Sequence, residues 1–272
     1  MAAEANVFIR LLAAAGRPGV GFVEQLGAVT HLFLDTMYWV FAGPFTGKTR
    51  FRRQVFPLMQ QIGVLSLSIV CLVAFLVGAI LVMQTADKFR DFGSIGLVPP
   101  TVCVAVVREL GPLMTAIVIA GRVGAAFTAG LGSMVINEEV LALKTMSINP
   151  IGYLVAPRFI SICFMLPCLT VFADLIGIAG GLTVGTLNFQ IPFWQYINST
   201  IKYLEMRDLI SGIVKSMVFG ALICMVACHQ ALTVHGGPEG VGRNTMVSVV
   251  VSLVSIIVAD GFIGAILANY VY

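Results

Sequence analysis

The sequence predicts an all-α integral membrane protein: five transmembrane helices, an amphipathic N-terminal helix in the membrane interface, and a short helical elbow in the cytoplasm. Three observations carry this expectation. The 272 residues are 58% hydrophobic and 11% charged, with mean hydropathy +0.98, whereas a soluble domain carries about a quarter charged residues. Five apolar runs, each long enough to cross a hydrocarbon core of about 30 Å, follow one another with short polar breaks. The second run leads directly into a short amphipathic stretch and back into the third, from Arg108 to Arg158.

Composition also excludes function classes. No polar stretch is long enough for a separate soluble catalytic domain, and the net charge of +3 is scattered, without the continuous basic face that nucleic acid requires. The six cysteines lie inside apolar runs, none in a C-x-x-C pair, and the three histidines are dispersed. They read as small core residues rather than metal ligands or disulfides, and no cofactor is implied. The N-terminus, with Glu4 and Arg10 and no long apolar core, reads as lacking a cleavable signal peptide.

In chain order, residues 1–61 form an N-terminal cytoplasmic and interfacial segment. Phe22, Leu26, Val29, Phe33, Met37 and Val40 recur at helical spacing, with Glu24, His31 and Asp35 opposite. That pattern predicts a helix lying in the interface, with a spanning helix as the lesser alternative. Residues 42–49 fit the relaxed phosphate-loop pattern A-x-x-x-x-G-K-T. Such a loop needs a parallel sheet and a magnesium-holding acidic strand, for which there is no room before Ile62. The segment reads instead as a linker whose Lys48, Arg50, Arg52 and Arg53 face anionic headgroups.

Residues 62–272 form the transmembrane domain, with spans at about 62–83, 101–136, 154–187, 209–234 and 245–272. The second is too long for one upright crossing and must tilt, kink at Pro112 or project. With the N-terminus cytoplasmic, nine basic residues fall on that side and four on the other. This bias places the elbow, residues 137–152, in the cytoplasm and the C-terminus outside.

Residues of functional interest follow from the membrane setting. Gly177, Gly181 and Gly185 form overlapping G-x-x-x-G units, and Gly121 and Gly124 belong to a small-residue stripe in the second span. Both favour close helix contact, either within the chain or between two copies. Arg122, Asp174 and Asp260 lie well inside spans, where charges are costly and need partners; an ion pair joining Arg122 to one aspartate is expected. Arg108 and Glu109 precede Gly111-Pro112, where a helix break either anchors the helix end or presents Arg108 to a phosphate. In the elbow, Asn137 reads as a helix cap, with Glu138 and Glu139 at the positive end. Leu143 belongs to its apolar side, Lys144 to its C-terminal turn, and Asn149-Pro150 ends it. On these residues alone the elbow reads as a turn packed on the headgroups, with a force-transmitting helix as the alternative.

The ordered set RELGP (108–112), AGRVG (120–124), Glu138 through Asn149-Pro150, LVAPR (154–158), Asp174 with Gly177, Gly180 and Gly181, Lys215-Ser216, and GGPEGVGR (236–243) resembles the MlaE-type permeases. These are the membrane subunits of ABC transporters that work with MCE-domain lipid carriers. The similarity covers about four-fifths of the chain, from near Gln60 onward. It implies a homodimer, a separate cytoplasmic ATPase, an MCE-domain partner outside, and a phospholipid substrate at the dimer interface. It makes residues 137–150 the coupling helix that docks on the ATPase and sets Arg108 and Glu109 beside the lipid cavity. It implies a non-catalytic subunit in a bacterial inner membrane or a plastid inner envelope. Two other classes compete: an ion-coupled secondary transporter using Arg122, Asp174 and Asp260 as a relay, and a membrane scaffold for a partner complex.

Overall fold

The computed structural model describes residues 27–41, 51–91 and 93–270, the side chains of 51–53 and 268–270 excepted. The readings made for residues 1–26, and for the phosphate-loop-like segment with Lys48 and Arg50, lie outside the described residues. Ten α-helices account for nearly all the rest: α1 (27–41), α2 (Phe51–Asp91), α3 (Val98–Ala105), α4 (Gly111–Ile119), α5 (Ala125–Ile136), α6 (Glu139–Thr145), α7 (Ala156–Phe189), α8 (Phe193–Tyr203), α9 (Met206–Leu232) and α10 (Gly237–Tyr270).

Five segments are long and apolar enough to span a membrane: Gln54–Asp91, Ile95–Ile136, Ile151–Phe189, Met206–Leu232 and Gly237–Leu267. Most of them reach past the apolar windows of the sequence, because polar end residues continue the same helices. The second span is one path built from α3, α4 and α5, joined by π-helical turns at Val106–Leu110 and Ala120–Gly124. A third π turn, Ile151–Val155, opens the return helix. Two of the three precede a proline by a few residues. Pro112 and Pro157 have no N–H to donate four residues back, and their rings crowd that carbonyl. Widening the turn lets Gly111 N–H bond Val106 O and Ala156 N–H bond Ile151 O, so neither span breaks. The turn at Ala120–Gly124 has no such proline.

Glycine sets the packing of α2 on α7. A methyl at Gly78 would overlap the Gly177 carbonyl, and one at Gly180 would overlap the Phe75 carbonyl. The backbones therefore touch where larger residues would hold them apart. Further along, Gly181 and Gly185 make room for the buried Tyr196 ring of α8. The G-x-x-x-G stripe of α7 is thus consumed within the chain. Gly124 lies against Ile223 of α9, whereas Gly121 has nothing within 4 Å and faces outward.

Sequence reading left residues 188–208 as a plain connection, yet α8 is a strongly amphipathic helix. Tyr196 and Thr200, one turn apart, are buried, while Trp194, Ile201 and Tyr203 are exposed. Burial pushes the Tyr196 phenol above its ordinary pKa. On the elbow side, the apolar stripe of α1 packs on protein: Leu32 is buried, Phe33 meets Phe159 edge-on at 6.0 Å, and Trp39 fills the space that Gly152 leaves open. Leu34, Tyr38 and Phe41 form a second, exposed apolar stripe on α1, the side suited to lipid.

Candidate functional site: two ion-pair arms at the far end of the second span

At the end remote from the elbow, the π turn Val106–Leu110 fans two consecutive charged residues toward one neighbouring helix. Arg108 Nε donates to Asp208 Oδ1 at 2.6 Å, and Lys215 Nζ donates to Glu109 Oε2 at 2.5 Å. Asp208 and Lys215 are seven residues apart, two turns, on the same face of α9. Midway between them Gly212 lets α9 pass against the π turn, since a methyl there would lie 2.7 Å from the Val107 carbonyl. Lys215 also pairs with Asp260 of α10 at 3.0 Å, and Gly264, one turn on, leaves the space in which Glu109 and Lys215 meet. One small cluster therefore ties the second, fourth and fifth spans together.

Exposure is divided unequally across these pairs. Asp208 and Lys215 are 0% and 1% exposed, while Arg108 keeps 30% and Glu109 50%. The buried members are fixed by structure: Asp208 completes a capping box with Glu205 at the start of α9, leaving its other oxygen for Arg108. What remains open is a positive and a negative group side by side, each held by a buried partner of opposite sign. Asp208 and Lys215 were not singled out from sequence as site residues. Their signal was the Glu205-x-x-Asp208 capping pattern and the seven-residue spacing to Lys215.

The intramembrane charges do not pair as expected. Arg122 Nη1 donates to Ser66 Oγ on α2, and Asp260 pairs with Lys215. Asp174 lies against Gly111, its Oδ1 buried and without a hydrogen-bond partner among the described residues. The reason is depth: Asp174 lies level with Gly111 and Asp260 with Lys215 and Glu109, whereas Arg122 is eleven residues beyond Gly111, about 16 Å along the span. Arg122, Asp174 and Asp260 do not come together as a relay.

The elbow also differs in its ends. Asn137 is the C-cap of α5, and α6 begins after Glu138, whose backbone is left-handed (φ 59°) and whose side chain makes no capping bond. Glu139 stands in the first turn, and Lys144 in the last. The helix ends before Asn149-Pro150. Ser147 (φ 59°) donates to the Lys144 carbonyl and Ile148 to that of Leu143, the double closure of a Schellman turn. Asn149 instead starts the return helix, its Oδ1 accepting from Ile151 N–H at 2.9 Å, with Pro150 following. Val140 is buried and Leu143 packs against the core, while Leu141, Met146 and Ile148 are exposed. Between the elbow and the end of α9 opens a groove of about 700 Å³, lined by Val140, Lys144, Asn149 and Leu232 among others.

Residues 55–266 match the family described as Permease MlaE. The chain belongs to the MlaE permease family. Relatives agree along most of its length. It is 32% identical over 254 residues to a probable ABC transporter permease protein of Rickettsia prowazekii, covering 93% of this chain and 96% of that one. A probable ABC transporter permease protein of Synechocystis is 36% identical, with 78% and 81% covered. The chloroplastic protein TRIGALACTOSYLDIACYLGLYCEROL 1 of Arabidopsis thaliana is 35% identical over 76% of this chain and 59% of that one. This MlaE family member is therefore a multi-pass ABC transporter permease.

Proposed function

We propose that this permease moves phospholipid between its membrane and an MCE-domain carrier, working as a homodimer driven by a separate ATPase subunit. The observation that carries the reading is the partly exposed Arg108 beside the exposed Glu109, each clamped by a buried partner at one end of a single span whose other end is the elbow. Adjacent groups of opposite sign complement a headgroup that carries a phosphate and, where zwitterionic, an ammonium. The lipid word in the name of the Arabidopsis relative points the same way.

The elbow is the ATPase-docking element of this proposal. Leu141, Met146 and Ile148 offer apolar contact, with Glu138, Glu139 and Lys144 supplying charge around them. The basic-residue bias supports a cytoplasmic position for this side in a bacterial inner membrane, or a stromal one in a plastid inner envelope. Closure of an ATPase dimer would push α6, and the second span would carry the displacement to Arg108 and Glu109.

Affinity purification of the tagged full chain from its native membrane tests the assembly. An ABC ATPase and an MCE-domain protein are expected in the eluate with phospholipid. A chain that purifies without an ATPase, or whose transport follows an ion gradient without ATP, refutes the reading.

A further inference from the structure

The short helix α8 has three distinct faces. Tyr196 and Thr200, one turn apart, are buried against the protein. At about 100° per residue, Phe193, Trp194, Ile197 and Ile201 fall on one flank of that buried line. Phe193, Trp194 and Ile201 are exposed, and Ile197 is partly so. Gln195, Asn198 and Lys202 fall on the opposite flank, and all three are exposed. The helix carries one charge, Lys202, and no carboxylate. Such a helix is served neither by water alone, which leaves the apolar flank hydrated, nor by hydrocarbon alone, which strips the polar one.

Contacts fix the depth of α8. A methyl at Gly181 would meet both Tyr196 Oη at 2.7 Å and Val82 Cγ2 at 2.9 Å, so the phenol lies level with Val82. The apolar run of α2 ends one residue later at Met83, before Gln84, Thr85 and Asp87. The Tyr196 ring edge faces Gly185, and Ile191 N–H bonds the Gly185 carbonyl at 3.1 Å just before α8 begins. Gly185 is two residues short of Leu187, where the apolar run of α7 ends. The helix also packs on α3, within which Thr101 opens the second apolar run, and it leads into α9, whose apolar run opens at Leu209. Four apolar runs therefore begin or end around α8, at the end of the bundle remote from the elbow.

We propose that α8 is an interfacial helix whose Phe193, Trp194, Ile197 and Ile201 flank inserts into the lipid leaflet on the side remote from the elbow. Interfacial helices bury their apolar face about 5–10 Å into the boundary between headgroups and chains, and tryptophan and tyrosine concentrate at that level. Lys202, its Nζ 5.7 Å from the Tyr203 ring centroid, then stands among headgroups whose phosphates can accept from it. Continuity favours lipid over a protein occupant. Leu187 near the end of α7 and Met206 at the start of α9, the helices that α8 joins, are exposed too, so the flank extends the exposed apolar surface of the spans. The same contact holds α8 against α3, the helix that runs into the Arg108–Glu109 turn. It asks only for a bilayer, so it goes beyond the transport reading and does not depend on it.

Trp39 and Trp194 are the only tryptophans in the chain, and Trp39 packs at Gly152 beside the elbow. Trp39→Phe therefore makes Trp194 the sole indole emitter. The full-length variant is reconstituted in phosphatidylcholine vesicles containing lipids brominated either near the ester or near the chain end, and separately in vesicles with iodide on both sides. Bromine near the ester is expected to quench Trp194 at least about twofold more than bromine near the chain end, and more than iodide does. Where Trp39→Phe fails to fold, the difference between the wild-type chain and Trp194→Phe isolates the same signal. Quenching mainly by iodide puts the flank in water, and stronger quenching by bromine near the chain end puts it in the membrane core; either result overturns the proposal. Quenching by none of these means that a second copy or another protein segment covers the flank, which also overturns it. The expected quenching in a chain that moves no lipid counts against the transport reading alone.

Discussion

Arg108 and Asp208, one hundred residues apart, meet at 2.6 Å where the π turn of the second span touches the first turn of α9. The aspartate is wholly buried and the arginine is not, so the pair works as a buried anchor holding an accessible cation. Removing one partner of such a pair leaves an uncompensated buried charge, at about 3–5 kcal/mol. Arg108→Ala should therefore lower the thermal midpoint of the purified permease strongly. Arg108→Ala with Asp208→Asn should recover much of the loss, as read by melting in detergent. Additive losses in the double variant would show that the pair is not coupled.

Lys215 and Glu109 should differ in the same assay. Lys215 is 1% exposed and faces two carboxylates, whereas Glu109 is half exposed. Lys215→Met leaves Glu109 and Asp260 facing each other without a cation and is expected to cost more than Glu109→Gln by about 1–2 kcal/mol. Glu109→Gln should instead show its main effect in lipid binding.

The glycines separate fold from assembly. Gly180→Leu drives a side chain into the Phe75 backbone and should abolish folding, read as loss of the monodisperse peak after solubilisation. At Gly121 an added Cβ meets nothing within 4 Å, so Gly121→Leu should leave stability within about 0.5 kcal/mol of wild type. If the outward face of the second span contacts a second copy, Gly121→Leu will shift the dimer toward monomer on light scattering.

The two asparagines of the elbow make a paired prediction. Asn149→Ala removes the side-chain cap of the return helix and should cost about 1 kcal/mol. Asn137→Ala, at the exposed C-cap of α5, should cost about 0.5 kcal/mol or less. Equal losses would restore the reading that Asn137 caps α6.

How much was legible in advance follows from what periodicity measures. Apolar length marks helices that must cross a membrane, so the five-helix architecture and the elbow between Ile136 and Ile151 were readable. The π turns were not, because widening by one residue leaves no local compositional trace beyond Pro112 and Pro157. Charges were readable as intramembrane and misread in depth: Arg122 meets Ser66 of α2 at mid-span, while Asp174 and Asp260 lie toward the Arg108 end, Asp260 on a lysine set aside at the span's edge. The small helix α8 was hidden because eleven residues are too short for a span and carry only two buried positions. The family resemblance supplied what neither periodicity nor charge contains, a job for the elbow and for Arg108–Glu109.

The central claim is that the elbow couples ATP hydrolysis to a lipid held at Arg108 and Glu109. ATP-dependent transfer of labelled phospholipid between proteoliposomes and the MCE-domain partner, with the permease and ATPase reconstituted together, tests it most directly. The wild-type chain should transfer lipid in proportion to ATP hydrolysed. Glu138→Lys with Glu139→Lys should lose ATPase binding and transfer, and Glu109→Gln should keep ATPase binding while transfer falls. Full transfer by the elbow double variant, or transfer independent of ATP, would contradict the account.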